Sequence, residues 1–206
     1  NNTVTFSMPN TFVTATPSFT EALTAEDGLF INMPVSGTTV ATIPDGVASF
    51  KIYDNGGENG YYTTGTGELE LTVPEGYVLQ VTGNTDVYSN YYGSLTFFDG
   101  NTEAATLKYV SGSKDIGTVV GTGRTMTLRF FTWSANASGL NLTATLMDAS
   151  VPHAVSLADG VAGGTMEGAG NYTVGSVVTL SLIPDENYVY SSVRIVDEYG
   201  NNIEEI

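Results

Sequence analysis

The sequence predicts an all-β protein, and three observations predict it. Apolar residues alternate at period two along most of the chain, helical periodicity is almost absent, and glycine-centred turn clusters separate the alternating runs. Glu68 to Val73 puts Leu69, Leu71 and Val73 on one face and acids on the other. Thr125 to Phe130 repeats the device with Met126, Leu128 and Phe130, as does Leu140 to Leu146. Asp45-Gly46, Asn55-Gly56-Gly57, Asn59-Gly60, Pro74-Glu75-Gly76, Asp99-Gly100 and Asp159-Gly160 supply the turns. Short alternating strands with regular turns predict a β-sandwich. Two segments punctuate the pattern. Residues 21–46 alternate poorly and are expected to form a lead-in, and Met147 to His153, with its proline, marks a domain boundary.

Composition narrows the function classes. Charged residues are only 14% of the 206 residues, and 22 acids face six bases for a formal charge of -16. Nucleic acid is excluded as a partner, because its binding needs Lys and Arg to neutralise phosphates. The same sign disfavours an anionic membrane surface. There is no cysteine, so neither a disulfide framework, a thiolate metal site nor a Cys nucleophile exists. No apolar run is long enough to span a bilayer, so no membrane insertion is expected. The Thr-, Asn- and Gly-rich surface predicts an extracellular, secreted or wall-attached bacterial protein, cut from a longer precursor.

The stretch from Val47 to Leu146 resembles a CUB domain on three pieces. Tyr53-Asp54-Asn55-Gly56-Gly57-Glu58-Asn59-Gly60-Tyr61 is similar to the family's early aspartate, double-glycine and tyrosine turn. Ser94-Leu95-Thr96-Phe97-Phe98-Asp99-Gly100 is similar to its central strand and corner, and Ser134 to Leu142 to its final loop and strand. The resemblance implies a jelly-roll sandwich over residues 47–149. In many members calcium at the sandwich tip grips a partner's basic residue, but Gly93 and Ala135 stand where two of the expected acids would be. Asp86 and Asp99 remain as candidate ligands, too few for an ion that takes six to eight oxygens. No cofactor is therefore expected.

Residues 153–206 resemble the first part of a divergent internalin-type B-repeat, through Val155-Ser156-Leu157, the glycine-rich run from Gly163 to Gly170, Val178-Thr179-Leu180 and Pro184 to Tyr188. Residues 1–20, with Asn2 to Pro9 and Val13 to Phe19, are similar to the last strands of such a repeat. The resemblance implies a small β-repeat domain at 153–206 that residues 1–20 complete, within one chain as a monomer or between chains as a swapped dimer.

Catalytic chemistry finds little to work with. His153 is the only histidine and sits beside Pro152 in the boundary segment, where no triad or zinc site forms around it. Acids are so numerous that paired carboxylates arise by chance. Lys51 invites a crosslink to Asn or Asp, but a solvated strand lysine is the expected reading. The glycine-rich run lacks the Lys-Ser/Thr of a phosphate loop and is expected to be a β-turn. Aromatic pairs are more informative. Neighbours on a strand point to opposite faces, so Tyr61-Tyr62 and Phe130-Phe131 must each leave one ring outside the core, with Phe130 inward. Tyr88, Tyr91, Tyr92 and Trp133 are the candidate ligand contacts, provided their loops share an end of the sandwich. The expectation is a non-catalytic module for adhesion, spacing or display toward an extracellular protein or glycan, the alternative being a carbohydrate-binding accessory of a glycan-degrading enzyme.

Overall fold

The computed structural model describes residues 7, 13–14, 28–87, 93–133, 137–159, 161–189 and 191–196, and the backbone of 202–205. All regular structure among them is β. In chain order the strands are β1 Phe30–Asn32, β2 Gly37–Thr42, β3 Ser49–Tyr53, β4 Gly65–Thr72, β5 Tyr77–Asp86, β6 Gly93–Phe98, β7 Thr106–Ser111, β8 Lys114–Asp115, β9 Val119–Val120, β10 Thr125–Thr132 and β11 Gly139–Asp148. Beyond them come β12 His153–Val155, β13 Gly164–Glu167, β14 Gly170–Tyr172, β15 Ser181–Pro184, β16 Arg194–Val196 and β17 Asn202–Glu205.

The first eleven strands make two mixed sheets. One runs β1-β3-β11-β5-β8, with β9 also on β5, and the other runs β2-β4-β10-β6-β7. Their inner faces hold the alternating residues that the sequence marks out: Leu69, Leu71, Leu95, Phe97, Met126, Leu128, Ile52 and Leu142 are all essentially inaccessible. Burying each such side chain contributes about 1.5–3 kcal/mol before conformational entropy is set against it. Tyr62 packs edge-on against Phe130, with ring centroids 5.6 Å apart at 85°.

The expected lead-in, residues 21–46, is described from residue 28 onward, and that part is more than a lead-in. β1 pairs in parallel with β3 and β2 in parallel with β4, as outermost strands of the two sheets. Ile31, Met33 and Ile43 enter the core, so the sandwich reaches back before Val47 to Phe30. Parallel pairing on an edge leaves β2 largely exposed, which removes the alternation that would have announced it.

From His153 onward the strands form three separate two-stranded ladders, β12-β14, β13-β15 and β16-β17. The glycine-rich run is mostly strand where a β-turn is expected: Gly164–Glu167 forms β13, paired with β15, and Gly170 opens β14, paired with β12, so only the residues between them turn. No described residue from 151 to 196 is buried, and Val177 and Val189 are 91% and 87% exposed. Most of residues 1–20 lie outside the described residues. Among those described, no helix is long and apolar enough to cross a membrane.

Candidate functional site

The loop end of the sandwich is built around Asp54. β3 ends at Tyr53, and the next side chain is a fully buried carboxylate. One Asp54 oxygen accepts from the Gly56 N–H at 2.6 Å and the other from the Leu140 N–H at 3.0 Å. Gly139 lies against it with φ +74°, where a Cβ would stand 2.1 Å from Asp54 Oδ2. Only glycine satisfies both the left-handed backbone and the close approach. Thus two of the three motif pieces, the early turn and the last loop, meet through one carboxylate. Asn55 closes the same loop, accepting from the Thr63 N–H at 2.7 Å and donating to the Thr63 carbonyl at 3.2 Å. Tyr53 donates its hydroxyl to Glu58 Oε1 at 3.1 Å. Burial pushes the Asp54 carboxyl above its usual range, opposed by the backbone donors.

Asp86, the last residue of β5, stands at this same end. It accepts from the Ser138 hydroxyl at 2.6 Å, the Ser138 N–H at 3.1 Å and the Ser113 hydroxyl at 3.0 Å. Those donors, Ser138 first, hold its pKa below the usual carboxylate value. Asp99 is elsewhere. It is bonded to the Thr122 N–H at 2.8 Å and to the Thr122 hydroxyl, next to Gly121, whose N–H donates to the Leu79 carbonyl near the start of β5. Leu79 and Asp86 are separated by about 23 Å of strand. The two candidate calcium ligands therefore occupy opposite ends of the sandwich and cannot share an ion. Among the described residues no three His, Asp or Glu side chains gather in a way that could hold a metal.

No protein-family model matches the chain, and no curated protein does. The site must be read from its own geometry.

Trp133 follows β10 and is 70% exposed. Its strand neighbour Thr132 pairs with Gly93 at the start of β6 and with Gly65 at the start of β4. Thr132 also donates to the Thr63 carbonyl at 3.1 Å, tying β10 to the Asp54 loop. Trp133, Phe131 and Thr132 line an open recess of about 330 Å³ with Thr64, Gly65 and Thr66. Every one of those residues is uncharged. Phe130 is buried while Phe131 is half-exposed, as alternation along β10 demands, whereas Tyr61, exposed, and Tyr62, buried, lie in the loop before β4 and not on a strand. Tyr88, Tyr91 and Tyr92 lie outside the described residues. Their described flanks, Val87 and Gly93, are at the Trp133 end, since Gly93 pairs with Thr132.

The remaining candidates fall away from this end or into structural roles. His153 is exposed on β12, opposite Tyr172. Lys51 donates to Thr143 Oγ1 at 2.9 Å and lies 3.5 Å from Asn141 Oδ1, on the outer face of its sheet. It is a partly solvated strand lysine. The buried Asp54 and its Leu140 partner were not expected, because 86 residues separate them and no local pattern links a turn aspartate to a distant amide.

Proposed function

We propose that this chain is a non-catalytic binding module of a secreted or surface-attached bacterial protein, and that it contacts its ligand at the loop end of the sandwich. The observation that carries the reading is Trp133: the only tryptophan of the chain, largely exposed, on the rim of an uncharged aromatic recess. Large exposed aromatics on a rigid strand end supply contact area at little entropic cost and are what interfaces use as anchors. A non-catalytic reading is further supported by the fate of the acids at that end. Asp54 and Asp86 are occupied by backbone and hydroxyl donors, and Glu58 accepts from Tyr53.

A carbohydrate ligand is the second reading, and the uncharged lining favours it. Thr64 and Thr66 line the recess together with Phe131 and Trp133, and this combination of hydroxyl and aromatic side chains suits a polyhydroxylated ring with one apolar face. Probing glycan and extracellular-protein arrays with wild type and Trp133→Ala tests both. The expected result is binding lost in Trp133→Ala with the unfolding midpoint unchanged within about 0.5 kcal/mol, since the side chain is exposed. Equal array signals from both proteins would overturn the site. A glycan hit selects the accessory reading and a protein hit the adhesin reading.

The CUB-like jelly-roll belongs to this proposal, supported by the junction of Asp54 with the Ser138-Gly139-Leu140 loop. So does completion of 153–206 by residues 1–20. Its support is that no described residue from 151 to 196 is buried, and the strand directions that bring β1 in at the end where β11 leaves. Removing residues 1–20 is expected to raise amide exchange across β12 to β15 and to leave the sandwich unchanged. Unaltered exchange contradicts completion, and loss of a sedimenting dimer on removal identifies the swap.

A further inference from the structure

The two sheets end side by side at one edge of the sandwich, and two of the chain's six basic residues sit there. β7 closes one sheet and β8, with β9, the other, so among the described residues β7 is paired on one side only, with β6. Between them runs an open groove of about 390 Å³. Its floor is Val110 and Ile116, both buried, and its walls include Lys108, Tyr109 and Lys114. Lys108 stands opposite the core residue Phe97, so it sits on the inward side of an edge strand, and Tyr109 beside it is 62% exposed. Asp115, the acid in the groove, is turned onto its own loop and accepts from the Gly117 N–H at 2.6 Å.

We propose that this edge is a docking site for an extended acidic peptide segment of a partner protein, which adds to β7 as a further strand. Strand addition draws affinity from main-chain hydrogen bonds and selectivity from alternate side chains. An inward lysine on an edge strand repels indiscriminate pairing. It also makes an acidic strand the exception, so one charge serves both exclusion and selection. The cations are available for that role. Arg129 is paired with Glu68, Lys51 with Thr143, and Arg124 with the Val73 carbonyl. The side-chain ammonium groups of Lys108 and Lys114 make no hydrogen bond or ion pair among the described residues, Lys114 bonding to Thr85 through its backbone alone. The opposite edge of the same sheet has the wrong sign, because β2 lies against β4, whose outward residues are Glu68 and Glu70. Tyr109 supplies the aromatic anchor. This surface is distinct from the Trp133 recess, and either can stand without the other.

The probe is a labelled synthetic peptide alternating Glu and Val, titrated into the full chain by fluorescence anisotropy, with hydrogen exchange mapped in parallel. Binding is expected with protection of the Leu107–Ser111 amides, weakening as salt rises. The Lys108→Gln/Lys114→Gln double variant is expected to bind about tenfold more weakly, two exposed charge pairs being removed. Its far-UV spectrum should match wild type, since neither lysine is buried. The same peptide N-methylated at alternate residues is expected not to bind. Equal binding of a Lys/Val peptide, undiminished binding by the double variant or by the N-methylated peptide, protection at β2 in place of β7, or no binding at all would each overturn the proposal.

Discussion

Asp54→Ala is expected to destabilise the sandwich by about 2–5 kcal/mol, since it leaves the Gly56 and Leu140 N–H groups without acceptors in a site that excludes water. Asp54→Asn keeps one acceptor and is expected to lose roughly half as much. Gly139→Ala should be comparably damaging. Its Cβ would fall 2.1 Å from Asp54 Oδ2, and φ +74° adds about 1–2 kcal/mol of left-handed strain to any side chain. Combined with Asp54→Ala, the two nearest contacts, Oδ2 and Cγ, disappear and the Asp54 Cβ at 2.9 Å is left as the next. The double variant should therefore lose less than the sum of the singles, which urea denaturation of all three would measure. Additive losses would mean that the carboxylate and the glycine do not touch.

The pH dependence follows from the two directions. Asp54 is raised by burial, so the native state holds its proton to higher pH than the unfolded chain does. Its contribution falls as pH rises from the unfolded value through the native one, and Asp54→Asn should remove that slope. Asp86 is depressed by Ser138 and Ser113. Its contribution is complete above the unfolded value near 3.8 and is lost as pH falls through the lower native value.

Phe97→Ala is expected to cost about 3–5 kcal/mol, the usual range for emptying a fully buried aromatic site. Val189→Ala, in the segment where no described residue is buried, should change stability by less than about 0.5 kcal/mol. Both can be read from urea denaturation of the full chain. A large effect at Val189 would mean that the segment after His153 packs against something, and it would strengthen the case for completion by residues 1–20.

These contrasts also explain what could be read in advance. The strands β4, β10 and β11 were legible because each has one face in water and one in the core, which writes period two into the sequence. β1 and β2 were not. They are edge strands in parallel pairing: β1 alternates over only three residues, too few to stand out, and β2 exposes nearly every residue. Trp133 was legible as a site candidate because it follows an unmistakable strand and must lie at its end. The placing of Asp99 away from Asp86 was not, since it depends on which way β5 and β6 run and on the contact with Thr122. The lysine groove was hidden for a similar reason. Lys108 and Lys114 are near in sequence, but their surroundings arise only when the last strands of two different sheets come together, next to a register shift between Phe97 and Phe98.

The loop end is proposed to hold a ligand and to leave it chemically intact. Trp133 reports on this directly, because no other tryptophan contributes to the emission. Titrating an array-selected ligand while following that emission should give a saturable shift, with the ligand recovered whole by mass spectrometry. Saturable binding with unchanged Trp133 emission, or recovery of a cleaved ligand, would contradict it.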